Sequence, residues 1–132
     1  MPDKFDNAIH SCAGQRKKYG VAWSNECFEL WYLLHFKDQK SGIGRVAIYQ
    51  ALEEVLGIDD YEDLKGDAGR AAHEQMATHA NQVTAIARAK KLYADWNDPH
   101  VHRRAPPSRQ NPCTTVYQLV EKLLACRLPE KN

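Results

Sequence analysis

Glu29 and His35 are the residues whose placement most suggests chemistry. Both can titrate near neutral pH, and both lie in Cys27 to Phe36, C-F-E-L-W-Y-L-L-H-F, where almost every other side chain is apolar. That stretch has no Gly, Pro or β-branched residue, which predicts a helix. It is apolar on nearly all sides, so the helix belongs inside the protein. A carboxylate in its first turns is favoured by the helix dipole, and a buried carboxylate with a shifted pKa often marks a site. Glu29 is thus a candidate base or ligand. The alternative is a structural acid that accepts bonds from loop N–H groups or meets an Arg. His35 closes the same helix, where the dipole favours a cation. It is a candidate acid or phosphate contact, against the alternative of a satisfied core histidine. Six residues separate the two, about 240° around a helix, so they do not share one face.

The elements that position them come next. Gly20 to Trp23 is short and apolar and reads as a buried strand, about residues 20–24. Ser24 and Asn25 follow, both favoured helix N-caps. A strand, a capped turn and a buried helix put polar groups at the carboxyl end of a strand, where ligands bind in open α/β sheets. Ser24 and Asn25 are therefore either caps or substrate contacts. Asn111 and Thr114 divide the same way, because N-P turns and Thr caps are common structural devices. Between them, Asn97 to Pro112 reads N-D-P-H-V-H-R-R-A-P-P-S-R-Q-N-P, rich in Pro and cations and without a period. It is either a mobile basic loop or a clamp on RNA or DNA backbone through Arg103, Arg104 and Arg109. His100 and His102 alternate, but two histidines alone are weak evidence for a metal. His73 and His79 are six apart, not the four of a helical ligand pair.

Five further segments read as helix or connector. Pro2-Asp3 caps a helix with Phe5, Ala8, Ile9 and Cys12 on its apolar face, ended by Ala13-Gly14; Arg16 to Lys18 is a solvated step into the strand. Gly44 to Leu56 is amphipathic, with Ile48, Ala51, Leu52, Val55 and Leu56 on one side, and Gly57 stops it. Asp59 to Asp67 is an acidic connector without EF-hand spacing. Ala68 to Trp96 is an Ala-rich helical tract with a break expected near Asn81. Its core stripe is read as Ala72, Met76, Ala80, Val83, Ala87 and Ala94, with Ile86 and Tyr93 beside it. Thr115 to Leu124 is the last helix, with a Thr115/Gln118 capping box and a buried face of Val116, Leu119, Val120, Leu123 and Leu124. The fold class is α/β, predominantly helical, with one clear strand and four to six helices.

The chain has 132 residues, 43% of them hydrophobic, which suits a single domain with a real core. Its net charge is +1, but residues 1–66 hold 8 Lys/Arg against 11 Asp/Glu while residues 67–132 hold 10 against 6. The second half thus favours an anionic partner. No apolar run reaches the ~18 residues of a membrane span, and no signal peptide is apparent. The four cysteines form no C-x-x-C pair, so reduced thiols and a cytoplasmic location are expected. The sequence lacks a P-loop, a dinucleotide fingerprint and a Ser-His-Asp pattern; Gly42-Ile43-Gly44 lacks the third Gly.

Two segments carry a family resemblance. Ser24 to Phe36, S-N-E-C-F-E-L-W-Y-L-L-H-F, resembles the RloB-like signature S-N-P-C-F-E-L-W-x-L-L-H-F, with Glu26 where that family usually has Pro. Asn111 to Glu121 is similar to its N-P-x-T-x-V-x-x-L-V-E segment. The resemblance implies a Toprim-like α/β domain and an antiphage, abortive-infection role. It also implies Mg²⁺-dependent cleavage of RNA or DNA phosphodiesters and an ATPase partner. In the family a strand Glu and an Asp-x-Asp strand end would hold the Mg²⁺, and neither is in this sequence. No metal ligand is therefore assigned here. The expectation is a C-terminal portion of a larger domain, with its lone strand at 20–24 lacking neighbours within the chain.

Overall fold

The computed structural model describes residues 2–14, 21–62, 70, 74 and 79–126. Arg16 to Lys18, Asp63 to Asp67, Ala72, His73 and Met76 lie outside them, as do the side chains of Cys12, His79 and Ala80. Five helices are present among the described residues: α1 (Pro2–Gly14), α2 (Glu29–Leu33), α3 (Arg45–Leu56), α4 (His79–Trp96) and α5 (Val116–Ala125). Two short strands, β1 (Ser24–Asn25) and β2 (Cys113–Thr114), form an antiparallel pair. The predominantly helical α/β composition is as expected.

The strand pair corrects one expectation. The sequence segment around 20–24 was expected to lack a partner in this chain, yet Ser24 pairs with Thr114 and Asn25 with Cys113. The ladder extends one step further, where Thr115 N–H donates to the Trp23 carbonyl at 2.7 Å. β2 escapes a propensity reading because it has two residues and follows a Pro, which sheets exclude from central strands. The Asn25–Glu26 and Asn111–Pro112 peptide bonds are both cis.

α2 is the centre of the molecule. Leu30, Leu33 and Leu34 are wholly buried, and α3, α4 and both strands pack around them. The helix is shorter than expected. It ends at Leu33, and residues 34–36 tighten into turns in which Phe36 and Lys37 N–H both donate to the Leu33 carbonyl. Such shortened bonds satisfy carbonyls at a helix end. Arg88 of α4 satisfies another, donating from Nη1 to the Leu34 carbonyl at 2.9 Å. Arg88 is thus a clasp between helices rather than a free surface charge. The N-cap is Phe28 and makes no side-chain bond, so Ser24 and Asn25 are not caps of this helix.

α3 follows its sequence pattern. Ile48, Leu52 and Leu56 are buried one turn apart, and Gly57 ends the helix at φ 69°, the left-handed conformation glycine favours. Its first N–H, on Arg45, donates to Glu26 Oε1 at 2.7 Å. α4 runs through Asn81 without a break and buries Ala85, Ala89 and Leu92. The expected stripe is two residues out of phase: Val83, Ala87 and Ala94 are exposed. An Ala-rich helix has little contrast between faces, so small residues alone do not fix its phase. α5 buries Val116 and Tyr117 against α4, where Tyr93 and Tyr117 meet edge to face and Lys90 pairs with Glu121 at 2.7 Å. Leu119 and Leu123, expected in the core, are 47% and 62% exposed. The capping box is also absent. Thr115 Oγ1 accepts from Trp23 N–H, and the Gln118 amide donates to the Tyr117 hydroxyl.

Candidate functional site

Most of the polar residues singled out from the sequence are fasteners. Ser24 Oγ and Thr114 Oγ1 share a hydrogen bond across the strand pair, and Thr114 Oγ1 also accepts from Val116 N–H. Thr114 is fully buried. The Asn111 amide grips one residue twice, accepting from Ile43 N–H at 3.2 Å and donating to the Ile43 carbonyl at 2.9 Å. It fixes the segment before α3 to the segment before β2. Asn25 Nδ2 donates to the Pro107 and Ser108 carbonyls at 3.1 and 2.9 Å.

Glu29 and His35 are both buried and have separate partners. The Tyr61 hydroxyl donates to Glu29 Oε2 at 3.3 Å, from a ring packed on Tyr49. Burial pushes the Tyr61 phenol well up, and the nearby Glu29 charge adds to this. Burial also pushes the Cys27 thiol to about 11, again with Glu29 beside it. His35 Nδ1–H donates to the Trp31 carbonyl one turn back at 2.9 Å. Its pKa is lowered, first by burial and further by the Arg88 charge. The expected stabilisation of the cation at the helix end does not occur, because Arg88 takes that position and the imidazole is out of water.

An open site lies elsewhere. A cleft of about 660 Å³ runs between α1, Trp23, the end of α4 and the loop that follows it. Trp23, Tyr93 and Trp96 line it, with His10, His102 and Arg104 supplying nitrogen and charge. The volume is in the range of small-ligand clefts, roughly 300–1,000 Å³. No carboxylate is among its described lining residues. Glu29 and His35 do not line it either.

The loop 97–112, read from the sequence as either a mobile basic loop or a clamp on nucleic-acid backbone, is fastened along its length. Asp98 opens it with a turn, accepting from His100 N–H through Oδ1 and from His102 N–H through its carbonyl. The His102 ring then lies flat on Trp96, centroids 3.9 Å apart and planes 11° apart. Further on, a 3₁₀ turn (Pro107–Arg109) docks on α1, where the Asp6 carboxylate accepts from Ser108 N–H at 2.9 Å and Ser108 Oγ–H at 2.8 Å. The Gln110 amide donates to the Ala105 carbonyl. Trp96 Nε1–H donates to the Pro112 carbonyl at 3.0 Å. Arg103, Arg104 and Arg109 stay exposed on this strap. His100 and His102 take no part in a metal-ligand cluster: none with three or more His, Cys, Asp or Glu occurs among the described residues.

A family model for the RloB-like protein matches residues 2–123. The chain belongs to the RloB-like family. No curated protein and no solved structure matches it. No helix among the described residues is long and apolar enough to cross a membrane.

The Mg²⁺ implied by the earlier resemblance does not fit the described part of this RloB-like chain. Mg²⁺ is held through carboxylates and water. The one buried carboxylate among the described residues, Glu29, meets a phenol and lies beside a thiol, and no group of three or more His, Cys, Asp or Glu gathers there among the described residues. Of the residues that line the cleft, Trp23, Tyr93, Trp96 and His10 were not singled out from the sequence as candidate functional residues. The available signal was Trp96 with His102, Arg103 and Arg104 only a few residues beyond it, an aromatic next to a cationic run.

Proposed function

We propose that this chain is an RloB-like antiphage, abortive-infection component that acts on RNA or DNA phosphodiesters together with an ATPase partner, and that its described residues serve to hold the substrate. Family membership supports the general class. The observation that carries the binding role is the strap 102–109. It holds Arg103, Arg104 and Arg109 exposed on a loop tied down at Asp6 and Asn25. Cations on a fixed support neutralise phosphates at less entropic cost than cations on a free loop. Phosphate neutralisation releases counterions, so affinity falls with salt.

The test is binding of RNA and DNA across a salt series. Arg103→Gln, Arg104→Gln and Arg109→Gln together should flatten the plot of log affinity against log salt by about two for single strands. An unchanged slope rejects the strap as the contact surface. The catalytic assignment of Glu29 and His35 is tested separately, with Glu29→Gln and His35→Gln in a Mg²⁺-dependent cleavage assay. Full cleavage by both variants removes these residues from the mechanism, whereas no cleavage by the unaltered chain leaves the second reading, a non-catalytic binding module of the family. That reading is favoured by the burial of both side chains, at 9% and 6% exposure.

A further inference from the structure

We infer that the cleft beside the strap is a pocket for an unpaired nucleobase, so that the substrate is held as a single strand. This inference rests on the nucleic-acid reading above and goes beyond it, because the strap accounts for phosphates and leaves the cleft unexplained. The cleft has aromatic walls in Trp23 and Tyr93, a third, Trp96, one face of which His102 already covers, and a cation, Arg104, among its lining. Base–aromatic stacking accepts any base, because every base has a π-face, and Arg adds a cation–π or phosphate contact. A duplex hides those faces, whereas single strands can splay a base out.

The polar groups indicate how selective the pocket is. The Gln110 amide is the group best suited to read a base edge, but the protein uses it. Its nitrogen donates to the Ala105 carbonyl, and its oxygen accepts from the Cys113 thiol at 3.6 Å. Asn97 Nδ2 is likewise turned back to the Tyr93 carbonyl. His10, His102 and Arg104 remain at the lining. A pocket of this kind recognises a base by its ring and the attached phosphate by its charge, with little sequence preference. The absence of a carboxylate from the described lining removes a source of repulsion for the attached phosphate.

The experiment is tryptophan fluorescence during titration of the whole chain with four probes. These are a short mixed-sequence single-stranded RNA, its DNA counterpart, a blunt duplex, and an abasic strand of the same length. Trp31 is 6% exposed in the core and serves as the internal background. Base-bearing single strands should quench the emission and bind better than the duplex and the abasic strand. Trp23→Leu should weaken them about tenfold while leaving the salt slope unchanged. The backbone bonds of residue 23 to Thr115 do not use the indole, and Tyr93→Leu provides a second variant if the first misfolds. Equal binding of abasic and base-bearing strands, without quenching, overturns the pocket while the strap reading stands. Absence of salt-dependent binding to any of the four probes overturns the strap reading and the pocket together.

Discussion

In α2 and the turns that close it the polar groups are turned inward. Glu29 meets Tyr61 and lies beside Cys27, His35 meets Trp31, and Arg88 closes the helix end. Around the cleft the arrangement is reversed. Trp23, Tyr93 and the Trp96–His102 stack border open space, and the three strap arginines face water. The first region has the more recognisable sequence, and the second has the accessible chemistry. A motif can be recognisable because it forms the core that everything else must fit. The open groups here lie on a stretch with no period, placed by hydrogen bonds that no local pattern announces.

The contrast can be broken by mutation. Leu33→Ala in α2 should cost the most, about 3 kcal/mol, because a wholly buried leucine leaves a cavity as well as losing transfer energy. A urea melt would read it. Asn111→Ala removes both bonds to Ile43 and should cost about 2 kcal/mol. A loss below the error of the melt would mean that Asn111 is free for substrate after all. Tyr61→Phe gives up one long bond to Glu29 and should cost about 1 kcal/mol; a gain in stability would show that the buried hydroxyl is retained for another reason.

His35 sharpens the comparison through pH. Its folded pKa lies below the ordinary 6.5, so the unfolded chain binds the proton more readily. Its contribution to stability is therefore greatest above 6.5 and is lost as pH falls from 6.5 through the folded value. His35→Gln should reduce the difference between urea midpoints at neutral and mildly acidic pH. An identical difference would mean that the imidazole is solvated. The smallest effect is expected on the other side of the comparison. Arg103→Gln, Arg104→Gln and Arg109→Gln should each change stability by less than about 0.5 kcal/mol. A larger loss would make the strap a structural element and not a binding one.

Much of the helical frame was legible. Gly44 to Leu56 carried a strong period, a stop glycine and no competing signal, and α3 follows it. The burial of most of Cys27 to Leu34 followed from composition, although Phe28 is 50% exposed and the helix itself is only Glu29–Leu33. Three things were not legible, each for a physical reason. Ser24 and Asn25 have the side chains of N-caps, yet long-range partners at Thr114, Pro107 and Ser108 compete for them and win. The phase of α4 was lost in its alanines. The cleft depends on Trp23 and Trp96, which stand at the ends of segments and carry no periodic signature. Their proximity is a tertiary fact.

The bond between Ser24 and Thr114 spans 90 positions of the chain. Closing a loop of that length costs entropy before any contact repays it, and contacts of such separation form slowly compared with helix turns. The seam is also where the two sides of the cleft meet, Trp23 just before one strand and the segment leading to Pro112 just before the other. During synthesis α2 and α3 can pair early, but Val116 and Tyr117, which complete the core, emerge late. The aromatic cleft is therefore a late product of folding. A nascent chain gains its helical interior first and its open cleft only when two segments far apart in the sequence have been joined.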